Sequence, residues 1–409
     1  MAAAKCHPRA IALLLTAGVA SCGTSVDAER ARAVHVSRLL PLGVHTALPD
    51  LHLAPDGTVA MTYVAGGGGR DTLFLAQGAP RRQLPLASGD DWFVNWADRP
   101  SAARLADGRL VSHVLDRTAG GTYDYAVRYR LDAGEPATLH DDRGLGEHGF
   151  VSWVTPGDSA QAFWLDGRAT AGAHDGREHG HGGGGAMQLR TRTVGPDGGL
   201  GPERLVDDRV CDCCPTAAAL TSRGPIVVYR DRSEGEVRDV YRALPATDSP
   251  PAPIHVDGWQ IAGCPVNGPS VAASPSGDTV AVAWFTAVPD GGRVQLAWST
   301  DGGVNFGPPA TVADGGALGR VDLAWVGPSR VAAAYLGSPQ GERAALTVEF
   351  LDIASRRPSP PRVLVDSVAA ARSSGVPSLT AASDGIYVAY TEVLDGGATR
   401  VRLAQLTPP

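Results

Sequence analysis

The chain has 409 residues, 43% of them hydrophobic and 19% charged, which supplies apolar material for a core and excludes a charge-rich disordered polymer. Glycine (51) and proline (31) are spread along it without a collagen period, which excludes a bundle of long helices and favours short elements joined by turns. The formal charge of −7 becomes more negative once a leader carrying Lys5 and Arg9 is removed, so nucleic acid and anionic membrane surfaces are disfavoured as partners.

Lys5 and Arg9 precede an apolar run over residues 10–20 that ends in Val19-Ala20-Ser21-Cys22-Gly23. The run is too short for a membrane-spanning helix and has the layout of a cleaved leader. Residues 19–22 resemble the lipobox of bacterial lipoproteins. The resemblance implies a signal peptide over 1–21, lipidation of Cys22, a cell-envelope location and a membrane partner reached through the lipid anchor. Residues 22–33 are then a polar tether, and 34–409 are expected to form one domain. Lys5 is the sole lysine; every other basic side chain is arginine, so an arginine carries meaning by position and not by identity.

Self-comparison of the rest shows one pattern seven times. A proline or glycine opens a short apolar strand, a Gly/Asp turn follows, and a second apolar strand ends in most copies on an aromatic. The copies cover residues 49–63, 100–114, 150–164, 215–229, 269–284, 320–335 and 377–390, roughly 50 residues apart. A third, alternating strand follows, clearest at 293–298 and 400–406, then a weaker fourth, as at 308–312. Four strands per unit predict the blade of an all-β propeller, most simply of seven blades, with six as the alternative. The seventh unit lacks a fourth strand, and residues 34–40 are expected to supply it and close the ring.

Between the third and fourth strands of the fifth unit lies Ser299-Thr300-Asp301-Gly302-Gly303-Val304-Asn305-Phe306. It resembles the Asp-box (BNR repeat) of sialidases, a hairpin in which Ser and Asp side chains bond turn amides and glycine adopts positive φ. Together with Glu147-His148-Gly149-Phe150, Trp164-Leu165-Asp166-Gly167-Arg168, Cys211-Asp212-Cys213-Cys214-Pro215, Tyr229-Arg230-Asp231-Arg232 and the segment from Asp257 to Pro269, it is similar to a sialidase-like group of bacterial envelope proteins. The chain lacks the Arg-Ile-Pro segment of active sialidases and offers no Tyr and Glu assignable by motif. The resemblance implies a glycan-type ligand, or exo-sialidase activity.

In a propeller, the loops from strand 2 to 3 and from strand 4 to the next strand 1 emerge on one face. Here those loops carry nearly all the unusual residues, so one "upper" face is expected to hold the site. The predicted ligand-binding residues are His148, Arg168, Arg230, Arg232, Arg238, Trp259 and Asn267, since guanidinium forks bind carboxylates bidentately. Predicted catalytic residues are Asp166 or Asp231 as acid and Tyr229 or Tyr241 as nucleophile. The arginine–carboxylate alternation also reads as mutual pairing that pins the loops, and Trp92 and Trp259 as sugar platforms or as channel caps. Cys211, Cys213, Cys214 and Cys264 sit in adjacent loops. Two disulfides are expected, with Cys211–Cys214 plus Cys213–Cys264 favoured and a thiolate copper or zinc site as the alternative. The segment His174 to Gly183, with His179 and His181, reads as a loose chelator or as a plain insertion.

The leading expectation is therefore a lipid-anchored, monomeric propeller that binds an acidic or glycan-like small ligand on its upper face, without a cofactor. A glycoside hydrolase and a metal-handling envelope protein are the alternatives.

Overall fold

The computed structural model describes residues 35–407 except 40–41, 55, 78–81, 171–184, 289–290 and 356. The leader, Cys22, the tether and the His174–His181 cluster lie outside the described residues. So do any consequences for anchoring.

Seven four-stranded antiparallel sheets form the blades of a propeller. In blades 1 to 6 the strands follow in chain order, and each of the seven repeats supplies the first and second strands of one blade. In the fifth blade, for example, 269–284 becomes Ser270–Ala273 and Val280–Thr286. The fourth strand of blade 7 is His35–Leu39, paired with Thr399–Thr407 in the register His35 to Thr407 and Leu39 to Leu403. Closure by the amino-terminal strand thus covers an edge that would otherwise template pairing with another chain.

The core is a ring of wedges between neighbouring blades. One wedge joins blades 3 and 4 through Phe163, Leu165, Met187, Leu189, Val227 and Tyr229, and comparable clusters fill the other inter-blade spaces. Second strands lie between two such wedges. That explains why Val280–Thr286 is buried at every position and why these runs read as continuous apolar stretches and not as alternation.

First strands line the central channel and run from the upper face to the lower. The Asp-box turn therefore emerges below. Ser299 Oγ donates to Asp301 Oδ1 at 2.6 Å, and the amides of Val304 and Asn305 donate to the same oxygen at 3.1 and 3.0 Å. Gly303 holds φ at +91°, and a Cβ there would stand 2.6 Å from Ile226 Cδ1, so the turn packs against blade 4.

Candidate functional site at the upper mouth

At the upper end of the channel is a cavity of about 40 Å³ whose lining includes Arg99, Asn267, Ser270, Arg320, Asp322 and Val376. That is room for a carboxylate group or a few waters. Asn267 organises the rim: its Oδ1 accepts the Arg320 amide at 2.7 Å, and its Nδ2 donates to Leu318 O at 3.2 Å. Arg320 lies with its guanidinium 4.9 Å from the Trp96 ring centre and donates from Nη1 to Ala371 O and Ser374 Oγ at 2.9 and 2.8 Å. Burial, with Arg372 adding repulsion, lowers its pKa to about 10. Asp322 accepts from Ser270 Oγ and Leu379 N, both at 2.7 Å, and so ties blades 5, 6 and 7 together. Burial raises its pKa.

Near the mouth, burial raises the pKa of two carboxyls. Glu147 is partly buried and accepts the Tyr125 hydroxyl at 2.7 Å; burial, opposed by that bond and aided by Asp98 and Asp212, pushes its pKa up to about 8. Asp98 is fully buried. Its Oδ1 accepts the Phe150 amide at 2.8 Å while Oδ2 has no hydrogen-bond partner, and burial raises its pKa to about 7. Glycine at 149 is required by this approach, because a Cβ there would stand 2.1 Å from Asp98 Oδ2. Tyr125 is 0% exposed and stacks on Phe93 with ring centres 4.1 Å apart. Burial, with Glu147 beside it, raises the pKa of the partly exposed Tyr123.

Of the predicted residues, His148, Asp166, Tyr229, Arg230 and Tyr241 lie at the ends of strands and the others in loops, and most are occupied. Asp166 is 0% exposed and receives Arg168 Nε at 2.7 Å, Arg168 Nη2 at 2.8 Å and Trp164 Nε1 at 2.8 Å. Burial alone would raise its pKa; Arg168 and His148 hold it at about 2, so it is an anion at neutral pH and not a proton donor. Arg168 also meets Glu203 at 2.7 Å. His148 is buried, stacked on His140 at 3.8 Å, between Asp142 and Asp166.

Arg230 is a strut: it donates to Asn267 O at 3.0 Å, Phe285 O at 2.8 Å and Arg238 O, beneath the Trp259 ring. Arg232 pairs with Asp212 and Glu236 at 3.0 and 2.8 Å, and Arg238 reaches Glu236 at 2.7 Å. Trp92 and Trp259 are buried, which removes both as sugar platforms. The pairing reading of the arginine–carboxylate alternation is the one the geometry follows. A clamp of Arg168, Arg230 and Arg232 on a ligand is corrected: each fork already has acceptors.

Tyr229, Tyr241 and Asp231 do come together, with Asp207, on the flank between blades 3 and 4. The Tyr229 hydroxyl meets Asp207 Oδ2 at 2.5 Å and its ring centre lies 6.3 Å from that of Tyr241. Burial and Asp207 raise Asp231 to about 6. Tyr229 is 0% exposed, so as a nucleophile it has no path to a sugar carbon. Sequence reasoning missed Tyr125, which opens the third strand of blade 2 (Tyr125–Leu131) and reads there as ordinary alternation.

Cys211 and Cys214 form a disulfide with Cα atoms 5.7 Å apart. Cys213 and Cys264 are free thiols, Cys264 being exposed. Half of the favoured connectivity is present; the other half is not formed.

No family model and no curated protein matches the sequence. Solved structures match its fold. An oligogalacturonate lyase in complex with manganese aligns at TM-score 0.55 and 9% identity over 91% of this chain and 96% of that one. The oligogalacturonate lyase VPA0088 from Vibrio parahaemolyticus aligns at 0.53 and 10% over 91% and 97%. The polysaccharide lyase Uly1 aligns at 0.51 and 10% over 88% and 89%. Sialidases match as well, at TM-scores below 0.5. At such identities the likeness establishes a shared propeller fold.

Proposed function

We propose that the upper mouth binds the end of an acidic saccharide, its carboxylate seated in the cavity between Arg99 and Arg320 and Glu147 facing the sugar. The observation that carries this reading is a small cavity lined by Arg99 and Arg320, on the same face as Glu147, a carboxyl whose pKa burial raises to about 8. A protonated carboxyl donates a hydrogen bond to an anionic ligand where an ionised one would repel it. The names of the neighbouring structures support a uronate or similar acid as the ligand class. We also propose anchoring at the cell envelope through Cys22, tested by incorporation of a labelled fatty acid that Cys22→Ser abolishes.

A second reading, cleavage of a glycosidic bond, is favoured by the same carboxyl, because a raised pKa is what a general acid needs at neutral pH. Tyr125, buried beneath Phe93, does not serve as its nucleophile. Calorimetric titration with oligogalacturonates and sialosides tests the binding reading. Arg99→Ala is expected to weaken binding by about tenfold, the loss of one charge-assisted contact. Binding should also fade above pH 8 in the wild type. Unchanged affinity in Arg99→Ala would overturn the assignment. Release of a fluorogenic leaving group, lost in Glu147→Gln, would establish the enzyme.

A further inference from the structure

We propose that the upper face carries a second sugar subsite on Tyr123, so that the ligand is an oligosaccharide and not a single acidic sugar. The inference deepens the saccharide reading and rests on the carboxylate seat between Arg99 and Arg320. Among the described residues Tyr123 is the one exposed aromatic side chain, at 38%. It stands at the end of a row of rings. Its ring centre lies 6.5 Å from that of Phe93, with 61° between the planes, and Phe93 in turn stacks on Tyr125 at 4.1 Å and 12°. The Arg117 guanidinium lies 5.1 Å from the Phe93 ring centre. The base of this platform is therefore packed before any ligand arrives, and a tyrosine has few torsions to freeze on binding.

Tyr125 joins the platform to the seat. Its hydroxyl donates to Glu147 Oε1 at 2.7 Å. A Cβ on Gly149 would stand 3.0 Å from Tyr125 Cε2 and 2.1 Å from Asp98 Oδ2, so the ring and the Asp98 carboxyl meet beside that glycine. The next residue, Arg99, lines the cavity. Tyr123 and the seat are thus two ends of one contact path, with Glu147 bonded at its middle. Val94 and Leu145, from the loops that carry Phe93 and Glu147, are exposed as well, at 37% and 55%. Exposed apolar side chains grouped near a polar cavity mark a binding surface. A pyranose presents C–H bonds on its faces and hydroxyls on its edge, and a phenol ring, apolar on its face and polar at its tip, matches both. A single acidic sugar held by its carboxylate leaves that ring uncovered; a sugar joined to it covers the ring.

Calorimetry of the full chain with galacturonate and with its linear trimer tests the subsite. The trimer is expected to bind about tenfold more tightly than the monomer, a gain that Tyr123→Ala removes and Tyr123→Phe, which keeps the ring, retains. Monomer affinity should be the same in all three proteins, and because Tyr123 is exposed their melting temperatures should match. Equal affinities for monomer and trimer in the wild type, or a gain that survives Tyr123→Ala, would overturn the subsite and leave the carboxylate seat standing. Trimer binding that needs Tyr123, without measurable monomer binding, would support the subsite and remove the seat. Binding of neither ligand would overturn both.

Discussion

Asp98 shows how a single residue records the cost of building the mouth. Its folded pKa of about 7 lies above the ordinary carboxyl value of 3.8 because burial disfavours the anion more than the Phe150 amide rescues it. Between those values the folded state binds more protons than the unfolded one, so this group's contribution is greatest at acid pH and is lost as pH rises from about 4 to 7. The buried imidazoles of His113 and His140, each lowered to about 3 by burial, act in the opposite sense, so the whole-protein profile masks the effect and a difference must be read. Asp98→Asn keeps the acceptor for Phe150 and cannot ionise. Its melting temperature relative to wild type should rise progressively from pH 4 to pH 8, by the equivalent of about 2–4 kcal/mol; a pH-independent difference would contradict the buried proton. The sequence made Asp98 and Glu147 visible as polar residues in loops, but their raised pKa values come from burial in the folded chain, opposed by bonds from Phe150 and Tyr125, partners 52 and 22 residues away. No local pattern carries that. Conversely Arg230 looked reactive because its chemistry is written in its name, whereas its acceptors at Asn267 and Phe285 come from the fold; Asp166 takes its donors from Trp164 and Arg168, two residues to either side.

At the scale of the element, what the sequence displayed best was the second strand of each blade, buried on both faces and therefore written as an unbroken apolar run ending in Tyr or Trp. Fourth strands such as Ala137–Thr138 and Ala252–Pro253 are two residues long and leave almost no trace. The closing strand His35–Leu39 was legible only because the seventh repeat stopped short; its register was not. The Asp-box is the clearest case of an element specified locally. Burial alone would raise the Asp301 pKa, yet bonds from Asn305, Ser299 and Val304 together hold it at about 2. Its stabilising contribution is thus present above the unfolded carboxyl pKa and lost as pH falls toward 2. Asp301→Ala should lower stability by about 1–2 kcal/mol, the loss of a turn cap with several acceptor bonds. Chemical denaturation at pH 7 measures it. Because the turn lies on the lower face, saccharide affinity of the folded variant should be unchanged.

The whole molecule separates two mouths of one channel. The upper one gathers Arg99, Asn267, Arg320 and Asp322; the lower one opens a cavity of about 590 Å³ whose lining includes Leu53, Leu220, Leu323, Trp325 and Leu379. The radial arrangement produces this division, since every first strand begins above and ends below, so residues at strand starts converge on one rim and residues at strand ends on the other. The upper mouth presents two guanidiniums to an acidic ligand, Arg99 at 3.7 Å from Asp50 and Arg320 bonded to Ala371 O and Ser374 Oγ, whereas among the described residues no charged side chain lines the lower cavity. Cys264 acts electrostatically on both Glu147 and Tyr123, so a bulky group attached there stands over the proposed saccharide site. Maleimide labelling of the wild-type protein should therefore abolish saccharide binding, and the same treatment of Cys264→Ser should not. The complementary variant, Leu220→Cys in the Cys264→Ser background, carries the label at the lower rim, where binding should persist. Equal loss from both labels would place the ligand inside the channel and not at its upper end, and equal retention would move it off the axis altogether. The comparison reads position along the channel directly, because the disc separates the two labelled rims by the length of the strands between them.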